Sequence, residues 1–262
     1  SFSSDDTGRV VADVESRAVV GDGRVTGSGS FTYPLDLVNW RTAFDPEPVR
    51  GVMDFGLDGL LMSRLVQFAG GDTPPLELEM SGSASLNVTG ADPLRWTGSV
   101  TISDSALRGN DRLLPNQGPL TASYDGSTLR LDQCRFGMGP QSLSLSGAMH
   151  ENGTWEGRAD ATSLDVAILG RFLKGPMYPR GQLTATAVVG GSPAAPTMDT
   201  QWSLRDLAYD RFELALFEGS ATYSDGVLTL PQWDLESFGN HMTVAGSAPL
   251  EVSVADGSLR VT

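Results

Sequence analysis

Lysine is almost missing from this chain: Lys174 stands alone among 18 basic residues. Basic residues are themselves outnumbered by acidic ones, 18 to 32, which sets the formal charge at -14. That balance repels phosphate backbones and excludes the general attraction by which basic proteins hold nucleic acid, so nucleic acid is not an expected partner. Cysteine occurs once, at Cys134, which excludes an internal disulfide and leaves the redox compartment open. The two histidines, His150 and His241, lie far apart with no Cys or Asp cluster at ligand spacing, and no metal is expected. No apolar run reaches the roughly 20 residues that span a bilayer. The opening Ser1-Phe2-Ser3-Ser4-Asp5-Asp6 lacks the pattern of an export signal, and without an initiating Met the chain reads as a mature form or an excised piece. Missing too are the G-x-S-x-G, H-E-x-x-H, P-loop and dinucleotide fingerprints. Carboxylate pairs such as Asp104 and Asp111 arise by number alone among 32 acidic residues. Neither an enzyme nor a cofactor is expected.

What is present is alternation. The chain is 40% apolar and 19% charged, too apolar for disorder, and its 262 residues suffice for one large all-β domain or two ordinary ones. Every second residue is apolar in Leu76, Leu78, Met80; Leu86, Val88; Val100, Ile102; Leu129, Leu131; Leu143, Leu145; Phe212, Leu214, Leu216; Leu228, Leu230; Met242, Val244; Val252, Val254; and Leu259, Val261. The positions between are largely Ser, Thr, Glu, Asp, Arg and Gln. That period puts one apolar and one wet face on each strand. Asp22-Gly23, Asp125-Gly126, Asn152-Gly153, Asp225-Gly226 and Asp256-Gly257 are hairpin signals, because these residues tolerate the positive φ of tight turns. The expectation is a mostly antiparallel meander of about 20 strands, at 8 to 12 residues per strand and turn.

Two segments depart from alternation. Leu57 to Phe68 and Leu164 to Leu173 carry apolar residues at helical spacing, the second between Ser163 and Gly175-Pro176, and both predict short helices. Their shared pattern points to a repeat. A shift of 99 residues aligns Ala122 to Ala148 with Ala221 to Ser247 without a gap, matching Tyr124 with Tyr223, Leu129 with Leu228, Leu131 with Leu230 and Gly147 with Gly246. The organisation expected is one continuous elongated segment over 1–262, with repeats at 50–80 (partial, with a helix), 82–180 and 181–262. A sheet with one apolar face must bury it against a second sheet, against itself by curling, or against an apolar ligand.

The cadence Pro179-Arg180-Gly181-Gln182-Leu183-Thr184-Ala185, Gly190-Gly191-Ser192-Pro193, Ser203-Leu204-Arg205-Asp206-Leu207, Gly219-Ser220-Ala221-Thr222-Tyr223, Asp225-Gly226-Val227-Leu228-Thr229-Leu230 and Thr243-Val244-Ala245-Gly246-Ser247 resembles that of the TamB and AsmA-like proteins. The earlier copy from Gly82 to Ala148 has the same cadence, and the resemblance spans about residues 50 to 262. It implies an all-β fold: a long, mostly antiparallel β-taco, a U-shaped trough with an apolar interior. It also implies an interior fragment of a periplasmic bridge protein, anchored elsewhere in the inner membrane of a diderm bacterium. Phospholipid acyl chains would be conducted along the alternating residues named above. An outer-membrane barrel protein of the TamA type would be a further partner. Two other readings stand beside this one: a scaffold that assists barrel or autotransporter assembly through an exposed sheet edge, and a closed β-solenoid adhesin module.

Overall fold

The computed structural model describes residues 2–4, 9–34, 49–68, 77–90, 92–109, 112–168, 179–209, 212–250, 252–255 and 258–261. The chain is all-β and mostly antiparallel. The strands are β1 (Phe2–Ser4), β2 (Arg9–Val20), β3 (Gly23–Pro34), β4 (Arg50–Leu61), β5 (Glu77–Thr89), β6 (Thr97–Gly109), β7 (Arg112–Pro115), β8 (Leu120–Tyr124) and β9 (Thr128–Met138). They continue with β10 (Gln141–His150), β11 (Trp155–Asp165), β12 (Arg180–Ser192), β13 (Ala195–Tyr209), β14 (Phe212–Ser224), β15 (Val227–Ser237), β16 (Asn240–Pro249), β17 (Val252–Ala255) and β18 (Ser258–Val261). Neighbours pair in chain order into an open sheet of sixteen strands, with β7 attached to β6 only; β17 and β18 pair apart. Tight hairpins make that order possible: Asp225 (φ 52) and Gly226 (φ 74) both occupy the left-handed region between β14 and β15. The first hairpin turns at Gly21-Asp22, one residue before the predicted Asp22-Gly23.

Two compact units divide the chain, Ser1–Ser105 with Gly118–Arg130, and Ala106–Gln117 with Leu131–Thr262. In the first, cross-strand partners hold one apolar face through Ala18, Val25, Leu57 and Gly82, then Val14, Gly29, Met53 and Leu86, then Ala12, Phe31, Gly51 and Val88. Large side chains lie over the glycines beside them. A Cβ on Gly51 would come within 2.5 Å of the Phe31 ring, and one on Gly27 within 3.1 Å of Phe55. In the second unit the same division of faces runs from β10 to β16.

Both predicted helices begin later than their spacing suggests. Leu57 to Leu61 finish β4, and the helix α1 is Met62–Phe68. Leu164 and Asp165 finish β11, a single 3-10 turn follows at 166–168, and residues 169–173 lie outside the described residues. The physical reason is a β-bulge in each strand. Leu57 faces Gly82 and Leu60 faces Met80, so three steps on one strand match two on the other. Ala161 faces Ala185 and Leu164 faces Leu183 in the same way. A bulge thus keeps apolar residues at i and i+3 on one face of a strand, the spacing that a helix also produces. Gly59 (φ 59) and Ser163 (φ 47) supply the left-handed residues of the two bulges. Leu60 and Leu164, which follow them, are the largest fully buried side chains, at 1% and 2% exposure.

Burial is concentrated at these handover points. In the first unit Leu60, Ser63 and Met80 are buried where β4, α1 and β5 meet, and Ile102 and Leu120, paired across β6 and β8, are buried as well. In the second, Cys134, Phe136, Ala161, Leu164, Val166 and Ile168 are buried at the corresponding ends of β9 and β11. Elsewhere among the described residues burial is sparser, with Val88, Leu107, Leu114, Leu214, Ala221 and Tyr223 also buried.

Candidate functional site

The register assembles an apolar surface from β10 to β16, row by row. One row joins Leu164, Leu183, Leu204, Phe217, Leu235 and Met242, each opposite the next. The adjoining row joins Leu143, Ala161, Ala185, Trp202, Gly219, Trp233 and Val244. A third runs Leu145, Ala159, Ala187, Thr200 and Ala221, and a fourth Gly147, Gly157, Val189, Met198, Tyr223, Leu228 and Ala248. In a closed core nearly all of these would be buried. Here only Ala161, Leu164, Ala221 and Tyr223 are. The others are half-buried or, like Met242 at 55% and Val244 at 38%, exposed.

Trp202, Phe217 and Trp233 form the aromatic centre of this surface, edge to face with centroids 5.4 to 5.6 Å apart. Gly219 makes the cluster possible: a Cβ there would stand 2.6 Å from Trp233 Cδ1 and 3.3 Å from Trp202 Cζ2. The Trp233 indole N–H donates to Ser220 O at 3.1 Å, whereas Trp202 Nε1 is buried without a hydrogen-bond partner. An unsatisfied donor costs about 1–3 kcal/mol. Three ring pairs at about 0.5–1.5 kcal/mol each are enough to offset it.

The opposite face is polar and internally bonded. Arg158 donates through Nε and one terminal nitrogen to Asp160, both at 2.7 Å, and Thr186 Oγ1 donates to the same carboxylate at 3.0 Å. Those bonds, Arg158 first, hold Asp160 below the ordinary carboxylate value. Asp234 accepts from Thr243 Oγ1 at 2.7 Å and from Gln232 at 2.6 Å, with His241 at 3.4 Å, and is lowered chiefly by Thr243. Burial raises the Cys134 thiol, with Asp132 adding to the effect. Among the described residues no cluster has the composition of a metal site.

Several expected groove residues fall on the rows: Leu143, Leu145, Leu228, Met242 and Val244, with Leu230 facing Gly246 beside them. In the first unit Leu86 and Val88 lie on the apolar face opposite Met53 and Gly51, and Met80 faces Leu60. Leu78 shares their strand and is half-buried. Val100 faces Ala122 and Ile102 faces Leu120. Leu129 and Leu131 are exposed at 45% and 39%. Leu216 is placed differently, opposite Arg205 and Glu236, because the apolar row takes Phe217 instead. Beyond the left-handed Asp206 (φ 53), Leu214 faces Leu207 and is buried, and Phe212 faces Tyr209 and is 54% exposed. Val252 faces Val261 and Val254 faces Leu259 in the separate pair of strands. Leu76 lies outside the described residues.

The alternation reading passed over Ala159, Ala161, Ala185, Ala187, Val189, Met198, Leu204 and Leu235, although all lie on the rows. Alanines, glycines and one threonine dilute the hydrophobic signal of β11 to β13. A period-2 count that scores small residues with large ones would have found these strands. No protein-family model, curated protein or solved structure matches this chain.

Proposed function

We propose that the apolar face of β10 to β16 takes up phospholipid acyl chains and lets them move across the strands. In this reading the chain is a segment of a periplasmic bridge between the inner and outer membranes of a diderm bacterium. The observation that carries the proposal is the set of half-exposed rows, from Leu164 to Met242 and from Leu143 to Val244, which among the described residues lack the second layer that would bury them. Hydrocarbon laid on them leaves water at about 25 cal/mol per Å², or about 0.8 kcal/mol per methylene. Such affinity is spread over many weak contacts, so a chain can shift along the face without leaving a specific pocket. The polar face, with its bonded carboxylates and a net charge of -14, disfavours adhesion to anionic leaflets. Resemblance to the TamB and AsmA-like cadence supports the same reading. The test is native mass spectrometry of the protein purified in mild detergent. Adducts with phospholipid masses are expected; a protein that stays free of lipid after incubation with phospholipid vesicles overturns the proposal.

A further inference from the structure

Trp202 stands inside the apolar rows rather than at their margin: it lies on β13, opposite Ala185 of β12 on one side and Gly219 of β14 on the other. Its Nε1 is buried and has no hydrogen-bond partner. Two other indoles show the ordinary outcome, since Trp233 donates to Ser220 O at 3.1 Å and Trp96 to Gly90 O at 3.2 Å. A buried donor left unmet is rare in a native fold and calls for a partner that the free protein lacks. Packing alone does not explain the residue. A phenylalanine at 202 would keep edge-to-face contacts with Phe217 and Trp233, now 5.6 and 5.4 Å away between centroids, and would strand no donor.

The surroundings limit what that partner can be. Trp202 Cζ2 and Trp233 Cδ1 both border Gly219, at 3.3 and 2.6 Å from the place a Cβ would take. Nε1 is two bonds from Cζ2, so the N–H belongs to the edge of the ring that meets this glycine. The row around it runs through Leu143, Ala161, Ala185 and Val244 and offers no polar side chain. A phosphate would have to shed its hydration to lie there, at a large cost. The ester carbonyl of an acylated lipid fits better: it accepts hydrogen bonds, donates none and is joined directly to hydrocarbon.

We infer that Trp202 Nε1 donates to an acyl-ester carbonyl of the bound lipid, which makes this face selective for ester-linked over ether-linked chains. The selectivity rests on the lipid reading of the face given above. Because the atom is covered in the free protein, the carbonyl enters as the Trp202 and Trp233 rings part beside Gly219. Contacts between hydrocarbon and the rows are non-directional. The indole adds the one directional contact, and it fixes where along the row an acyl chain begins.

The probes are dihexanoyl phosphatidylcholine and its dihexyl ether analogue, each below its micelle concentration, competed against an acyl-chain dye on the whole chain and on Trp202→Phe. The substitution is expected to weaken the diester roughly tenfold more than the diether, the worth of one hydrogen bond to an otherwise unmet donor. Equal weakening of both lipids, or of neither, overturns the inference and leaves the lipid reading standing. A native chain that takes up neither lipid overturns both. A second readout needs no variant. In the native chain labelled with nitrogen-15 tryptophan, one of the five indole N–H resonances should move downfield with the diester and stay in place with the diether. Identical shifts with the two lipids, or no shift with either, overturn the inference.

Discussion

Replacing Val244 with arginine separates an open apolar face from a packed one. Val244 is 38% exposed and lies opposite Trp233 on a row of the apolar surface. In the free protein the arginine stem can lie on the face while its guanidinium stays in water, which limits the cost to about 0.5–1 kcal/mol. Were the same position sealed against a second layer, an unpaired buried charge would cost about 3–5 kcal/mol and bring the protein close to unfolding. With an acyl chain laid across the row, the charge must instead displace the hydrocarbon. Four methylenes forfeited at about 0.8 kcal/mol each amount to about 3 kcal/mol, or roughly a hundredfold in affinity. The assay pairs a urea titration with displacement of an acyl-chain dye, and Thr243→Arg, on the opposite face, is the control. The expected pattern is a small stability change in both variants and a loss of binding in Val244→Arg alone. Equal affinity in the two variants, or unfolding of Val244→Arg, refutes the reasoning.

Three further outcomes follow from the packing and the charges. Leu60→Ala and Leu164→Ala remove the most completely buried side chains and should each cost about 2–5 kcal/mol; Leu145→Ala, on the half-buried part of the face, should cost less than half as much in the same urea titration. Gly219→Val forces a side chain against Trp233 and should abolish the near-ultraviolet circular dichroism of the aromatic cluster, with a destabilisation of about 1–3 kcal/mol. Asp160 is lowered from the ordinary 3.8 chiefly by its bond from Arg158. A depressed carboxylate contributes stability that is present above its unfolded value and is lost as pH falls through the folded one. The stability gap between the native protein and Asp160→Asn should therefore hold from neutrality to about pH 4 and close below it, as followed by urea midpoints.

Much of the sheet was legible in the sequence, and the reasons are local. β10 and β16 alternate large apolar with small polar residues, so their faces could be assigned before any partner was known. Asp125-Gly126 and Asn152-Gly153 mark turns because their side chains bond their own backbone: Asp125 accepts from the Ser127 and Thr128 amides, and Asn152 from Thr154. Features that depend on two strands at once were hidden. The bulges at Gly59 and Ser163 imitate helical spacing, and only the pairing of Leu57 with Gly82 and Leu60 with Met80 reveals the extra residue. The phase of β14 was hidden as well, because Leu216 and Phe217 are adjacent and both apolar; the partners Leu204 and Leu235 decide for Phe217. The rows of the candidate site include Gly157 and Gly219, residues whose contribution is the space they leave to Val189, Trp202 and Trp233. That contribution has no counterpart in a hydrophobicity pattern.

Photo-cross-linking from successive positions of β10, with phospholipid vesicles carrying no reactive group, tests the central claim most directly. Leu143 and Leu145 share the apolar face, and Ser144 between them faces Asp160 on the polar one. Lipid adducts from 143 and 145 with none from 144 are the predicted result. Adducts equal at all three positions, or absent from 143 and 145, would contradict the account.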